Sequence, residues 1–98
     1  MDIIFEVTDK TQRNIHLSKE RWSHILKEHP EISGYLEEIK EALKNPIKIM
    51  AYGLNESVRY YYKYLKQREK PEKYILVIVK YLNHQGFIIT SYFVRYIK

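Results

Sequence analysis

The chain has 98 residues, 45% of them apolar and 30% charged, with no cysteine. That is one domain's length, enough to bury roughly 60–70% of the unfolded surface, and the composition excludes a disordered or fibrous chain, a disulfide scaffold, thiolate zinc and cysteine nucleophiles. The net charge of +5 is uneven, with six basic and nine acidic residues in 1–43 against eleven and three in 44–98, so the second half is a basic, aromatic-rich segment suited to a polyanion such as RNA or DNA.

Ile3, Phe5 and Val7 alternate, Thr8-Asp9-Lys10-Thr11-Gln12 is turn-like, and Ile15 and Leu17 alternate again, which predicts a short hairpin. Ser18 is a good N-cap, and Trp22, Ile25, Leu26 and His29 recur at helical spacing until Pro30, so a first helix is expected over residues 19–29. Ile32, Tyr35, Leu36, Ile39, Ala42 and Leu43 repeat the 3.6 period as far as Asn45-Pro46, giving a second helix. Beyond Pro46 the period falls to two. Four strands are predicted, over residues 47–52, 57–65, 74–82 and 87–97, with connections short enough for antiparallel neighbours. The expected architecture is α+β, an N-terminal hairpin and two helices packed on a four-stranded antiparallel meander sheet. The longest apolar run covers only residues 74–79, and the start Asp2-Ile3-Ile4-Phe5-Glu6 lacks a leader's basic head, so a cytoplasmic protein away from the membrane is expected.

Glycine stands only at 34, 53 and 86, which excludes a phosphate-cradling P-loop and a dinucleotide fingerprint. His24 and His29 are five residues apart, about 140° around a helix, and do not form a two-histidine zinc face. Nine of the twelve acids lie in the first half, mostly on helical faces, a poor set for two-metal cleavage. No metal and no cofactor is therefore expected. Metal-free chemistry on phosphate needs a proton carrier titrating near neutrality, a cation and a hydroxyl donor. The carrier is His24 or His29; His29 falls in the apolar stripe with Trp22 and Ile25, His24 on the polar side. Arg59, Tyr61 and Lys63 alternate onto one strand face, two cations about 13 Å apart that suit successive phosphates, while Val58, Tyr60, Tyr62 and Tyr64 take the other. Thr90 supplies a hydroxyl in the last strand. With Leu82 paired to Phe87, Lys80 and Thr90 point to opposite sides of the sheet, and one bulge reverses this.

In order along the chain, Arg21-Trp22-Ser23-His24-Ile25, His29-Pro30-Glu31, Arg59 to Lys63, Leu76-Val77-Ile78-Val79-Lys80 and Ile88-Ile89-Thr90-Ser91-Tyr92 resemble the PBECR group. These are small phage- and mobile-element-associated proteins of the barnase, EndoU, colicin-tRNase and RelE-like (BECR) nuclease superfamily, and the likeness covers nearly the whole chain from Leu17 onward. It implies a single BECR-like domain over residues 1–98, metal-independent cleavage of RNA, and a toxin or phage-effector role. Carried over residue by residue, it implies a helical imidazole (His24 or His29), strand cations (Arg59 with Lys63) and the hydroxyl of Thr90. Tyr61, Lys80 and Tyr92 are expected to contact substrate. The expected partners are RNA and an antitoxin protein that is acidic where it covers Arg59 and Lys63. The alternatives are a non-catalytic nucleic-acid- or protein-binding module of the same fold and a homodimer joined through exposed tyrosines.

Overall fold

Helix and strand limits follow local chemistry along the computed structural model, which describes residues 2–98; Met1, at the head of the expected leaderless start, lies outside them. The elements are β1 (Ile3–Thr8), β2 (Asn14–Ser18), α1 (Lys19–Glu28), a 3₁₀ turn (Pro30–Ile32), α2 (Leu36–Lys44), β3 (Lys48–Tyr52), β4 (Asn55–Tyr64), β5 (Tyr74–Leu82) and β6 (Gln85–Val94). The Ser18 hydroxyl accepts the Arg21 N–H at 3.1 Å and opens α1. Pro30 disfavours helical backbone at the residue before it, and His29 accordingly leaves the helix at φ −136°, ψ 68°. Ile32 and Tyr35, expected in the second helix, precede it, because Pro30-Glu31-Ile32 closes as its own turn. β6 ends at Val94, short of residue 97, and Ile97 packs back against the sheet.

The expected four-stranded antiparallel meander is replaced by a six-stranded mixed sheet in the order β1-β2-β6-β5-β4-β3. The hairpin joins it through parallel pairing of Asn14, Ile15 and His16 with Gln85, Gly86 and Phe87. Without that pairing the backbone polar groups at this end of β6 would form an unpaired edge. Gly86 makes the packing possible, since a Cβ there would lie 2.6 Å from the Lys80 carbonyl oxygen and 3.0 Å from Ile15 Cδ1. Alternation marks the strands but carries no information about which edges meet.

Both helices lie against one face of the sheet, α1 on β6 and β2, α2 on β4 and β5. Between them Ile15, Leu17, Ile25, Ile39, Leu43, Ile75, Val77 and Val79 are buried, each worth about 1.5–3 kcal/mol by removal from water. A polar lock ties the hairpin turn to this core. The Asp9 carboxylate, 2% exposed, accepts the Thr11 and Arg13 backbone N–H groups at 2.9 Å and the Tyr61 hydroxyl, and the Tyr61 and Tyr81 hydroxyls lie 2.6 Å apart. The opposite face carries no helix. Its own apolar cluster is Val58, Tyr62, Leu76 and Ile78, joined by Met50, Tyr60, Ile89, Tyr92, Val94 and Ile97.

Candidate active site

Strand register arranges the helix-free face in three rows. The first runs Glu6, His16, Phe87, Lys80, Val58 across five strands. The second is Thr90, Ile78, Tyr60, Met50, and the third Tyr92, Leu76, Tyr62, Lys48. Rows two residues apart lie about 7 Å apart along a strand, so Lys80 and Thr90 are diagonal neighbours across β5 and β6. They share this face because β6 has an extra residue: Val79 pairs with Ile88 but Ile78 with Thr90, leaving Ile89 as the bulge. Leu82 pairs with Gln85, not Phe87, through a two-residue turn in which Asn83 takes a left-handed φ of 54°. Thr90 Oγ1 is buried and has no hydrogen-bond partner among the described residues. Its neighbour Ser91 points to the other face and donates to the Leu76 carbonyl at 2.8 Å.

The end of α1 reaches around β6 to the same face. The His29 ring stacks on Tyr92 with centroids 4.8 Å apart and planes 22° apart. Its Nδ1 lies 3.8 Å from Glu31 Oε2, a pair that gains charge attraction only when the imidazole is protonated. The 3.6 period assigns His29 to the apolar stripe; leaving the helix at Pro30 instead carries it over the strand edge. His24 is exposed on α1 and lines a hollow of about 610 Å³ that His16, Arg21, Glu28 and Phe87 also border.

Three of the expected residues lie elsewhere. Arg59, Tyr61 and Lys63 do share one side of β4, but it is the helix-covered side. Tyr61 is 0% exposed and belongs to the main core, so it presents no ring to a substrate. Arg59 folds back at one end, donating to the Glu56 and Val58 carbonyls, with its guanidinium 5.2 Å from the Tyr81 ring. At the other end Lys63 borders a hollow of about 440 Å³ opposite Glu37, Glu38 and Glu41 of α2, a ready balance for those carboxylates. The physical reason is the Asp9 lock, which draws Tyr61 inward and carries its i±2 neighbours to the same side. His29, Tyr92, Thr90 and Lys80 therefore share the helix-free face, Thr90 one row from Tyr92 and Lys80 one row further on, and Arg59 and Lys63 are not among them.

Phenols fill much of the helix-free face. Tyr52 and Tyr60 stack at 5.1 Å and 10°, and Tyr60 and Tyr62 lie 6.4 Å apart. Burial, with the Tyr52, Tyr92 and Tyr62 phenols alongside, pushes the Tyr60 phenol above its ordinary value of 10.0. Burial pushes Tyr62 up as well, against a smaller opposing pull from the Lys98 backbone. The Tyr60 and Tyr62 phenols therefore stay neutral at physiological pH, and Lys48 and Lys80 supply positive charge on the same face. His16, Phe87 and Lys48 belong to this surface but escaped the sequence argument. His16 was readable as the odd residue between Ile15 and Leu17, yet its neighbours on β6 depend on the parallel pairing.

Helices on one face of a mixed sheet, with an imidazole, an ammonium, a hydroxyl and stacked phenols on the other, define an α+β domain with one polar, aromatic face. Residues 4–97 match the family PBECR2, described as phage-Barnase-EndoU-ColicinE5/D-RelE like nuclease2, and the chain belongs to that family. No curated protein and no solved structure matches it. No helix among the described residues is long and apolar enough to cross a membrane.

Proposed function

We propose that the protein is a metal-independent endoribonuclease acting in the cytoplasm as a toxin or phage effector. One observation carries this reading: the His29 imidazole lies on the Tyr92 ring, on the face that also bears Lys80 and Thr90. RNA runs across this face with unpaired bases against the phenol rings and phosphates against Lys80 and Lys48. His29 accepts the 2′-hydroxyl proton as that oxygen attacks phosphorus; the bond from phosphorus to the 5′-oxygen breaks, and the leaving oxygen takes a proton from water. The products are a 2′,3′-cyclic phosphate and a 5′-hydroxyl. Lys80 offsets the charge gathering on the non-bridging oxygens, and Thr90, reached by a small rotation of the side chains around it, donates its unpartnered hydroxyl to one of them. Glu31 holds the imidazolium once it forms. DNA lacks the attacking hydroxyl and is not cut.

The test is cleavage of a labelled RNA and the matching DNA in EDTA by the wild type and by His29→Ala. Cutting of RNA alone, lost in the variant, supports the mechanism. Equal cutting by both proteins, or equal cutting of both nucleic acids, removes it. An antitoxin for this face sets its carboxylates against Lys80 and Lys48 and leaves Arg59 and Lys63 uncovered.

A further inference from the structure

The hollow between β2, β6 and α1 has no part in that mechanism. Its volume of about 610 Å³ lies within the roughly 300–1,000 Å³ usual for small-ligand sites. Phe87 and His16 form one wall, their ring centroids 6.2 Å apart and planes 36° apart. Leu82, 43% exposed, lies at its border. Glu20, Arg21, His24 and Glu28 form the helical wall, on one side of α1 because their spacing follows its turns. Phe87 is also the cross-strand partner of Lys80, so the hollow adjoins the phosphate position of the proposed reaction.

We propose that this hollow is a nucleobase subsite that selects an unpaired base by the amino groups on its Watson–Crick edge, guanine best of the four. The proposal rests on the RNA-cleaving reading for the phosphate beside it, while recognition of the base is testable apart from cleavage. Charge decides against the obvious alternative, a second phosphate site. Among the carboxylates and guanidinium that line it, Glu20 and Glu28 outweigh Arg21, so these walls are poorly suited to an anion. Carboxylates are hydrogen-bond acceptors only, so the ligand must bring N–H donors. The partly buried Phe87 adds a flat aromatic surface, and the exposed Leu82 further apolar surface, that a merely solvated helix face does not need, and aromatic faces beside unpaired bases are a general mode of RNA recognition. Guanine offers two adjacent N–H donors to one carboxylate. Adenine and cytosine offer an amino group beside a ring acceptor, and uracil an N–H flanked by two carbonyls that a carboxylate repels.

Nucleoside 3′-monophosphates test this directly, because they have no 5′-linked leaving group and cannot be cleaved. Wild-type protein is titrated with the four of them and with inorganic phosphate, following NMR shifts of His16, His24 and Phe87. Guanosine 3′-monophosphate is expected to bind at least about tenfold more tightly than the uridine compound, the scale of one hydrogen bond to a charged group. Glu20→Gln combined with Glu28→Gln brings that ratio to within about threefold, and Phe87→Ala weakens all four nucleotides by about tenfold. Equal affinity for the four nucleotides, or the same shifts from phosphate alone, overturns the subsite. Uniform binding by a protein that still cuts RNA removes the subsite and spares the mechanism; guanosine-selective binding by one that cuts nothing removes the mechanism and spares the subsite.

Discussion

Lys80 and Thr90 stand on the same face of the sheet because β6 inserts Ile89 between the partners of Val79 and Ile78. In an unbulged ladder Thr90 would pair with Val77 and point into the core beneath the helices. The bulge instead sets its hydroxyl diagonally across from an ammonium, near the ring on which His29 stacks. A bulge that re-aims one side chain beside a reactive centre is a recurring use of this irregularity.

His29→Ala is expected to lower RNA cleavage at least about 100-fold, the loss of a proton carrier, whereas His24→Ala costs less than about tenfold. Initial rates on one labelled RNA in EDTA separate the two. A His24 variant as impaired as the His29 variant would move the proton transfer to the other imidazole.

Lys80→Ala is expected to cost about 100-fold in cleavage, in the range for removing one group that stabilises developing charge. Arg59→Ala and Lys63→Ala should stay within about threefold of wild type, since both side chains lie on the helix-covered face. Binding to an uncleavable RNA at several salt concentrations gives a second readout: Lys80→Ala lowers the salt slope by about one.

Thr90→Val keeps the shape of the side chain and removes a buried hydroxyl that has no partner. Leaving a buried polar group unpaired costs about 1–3 kcal/mol, so urea unfolding of this variant should show equal or higher stability. Cleavage should fall about tenfold or more. Lower stability with unchanged cleavage would assign Thr90 a packing role alone.

Tyr61 controls behaviour at high pH. Burial, then its hydrogen bonds to Asp9 and Tyr81, raises its phenol far above the ordinary 10.0. The folded state thus holds a proton that the unfolded chain gives up near pH 10; the stabilisation is complete below that pH and is lost as pH rises toward the folded value. Unfolding free energy should fall above pH 10 by about 1.4 kcal/mol per pH unit for this one proton. Tyr61→Phe should flatten that slope. It should also cost about 1–3 kcal/mol at pH 7, because the buried Asp9 carboxylate loses a donor. Denaturant titrations at pH 7, 10 and 11 measure both effects.

Much of the local structure was readable in the residue order. Ser18 opens α1 and Pro30 closes it, the period falls to two after Pro46, and the predicted ends of β3, β4, β5 and β6 lie within three residues of the observed ones. The candidates for proton transfer were readable as types, because the chain has only four imidazoles. Their grouping was less so. Alternation places Arg59, Tyr61 and Lys63 on one side of β4, as the ladder has them, yet a period of two is symmetric and does not say which side the helices will cover. That side depends on Tyr61 meeting Asp9, a residue 52 positions earlier.

What the sequence determined by itself was the inventory of elements and the polarity of each of their faces, since helical and extended periods and end signals act over a few neighbouring residues. The tertiary structure alone decided that the hairpin joins β6 in parallel, that Thr90 turns to the side of Lys80, and that His29 comes to rest on Tyr92. Those outcomes depend on contacts between segments distant in the chain and on one inserted residue in a ladder, and neither leaves a periodic mark in the order of amino acids.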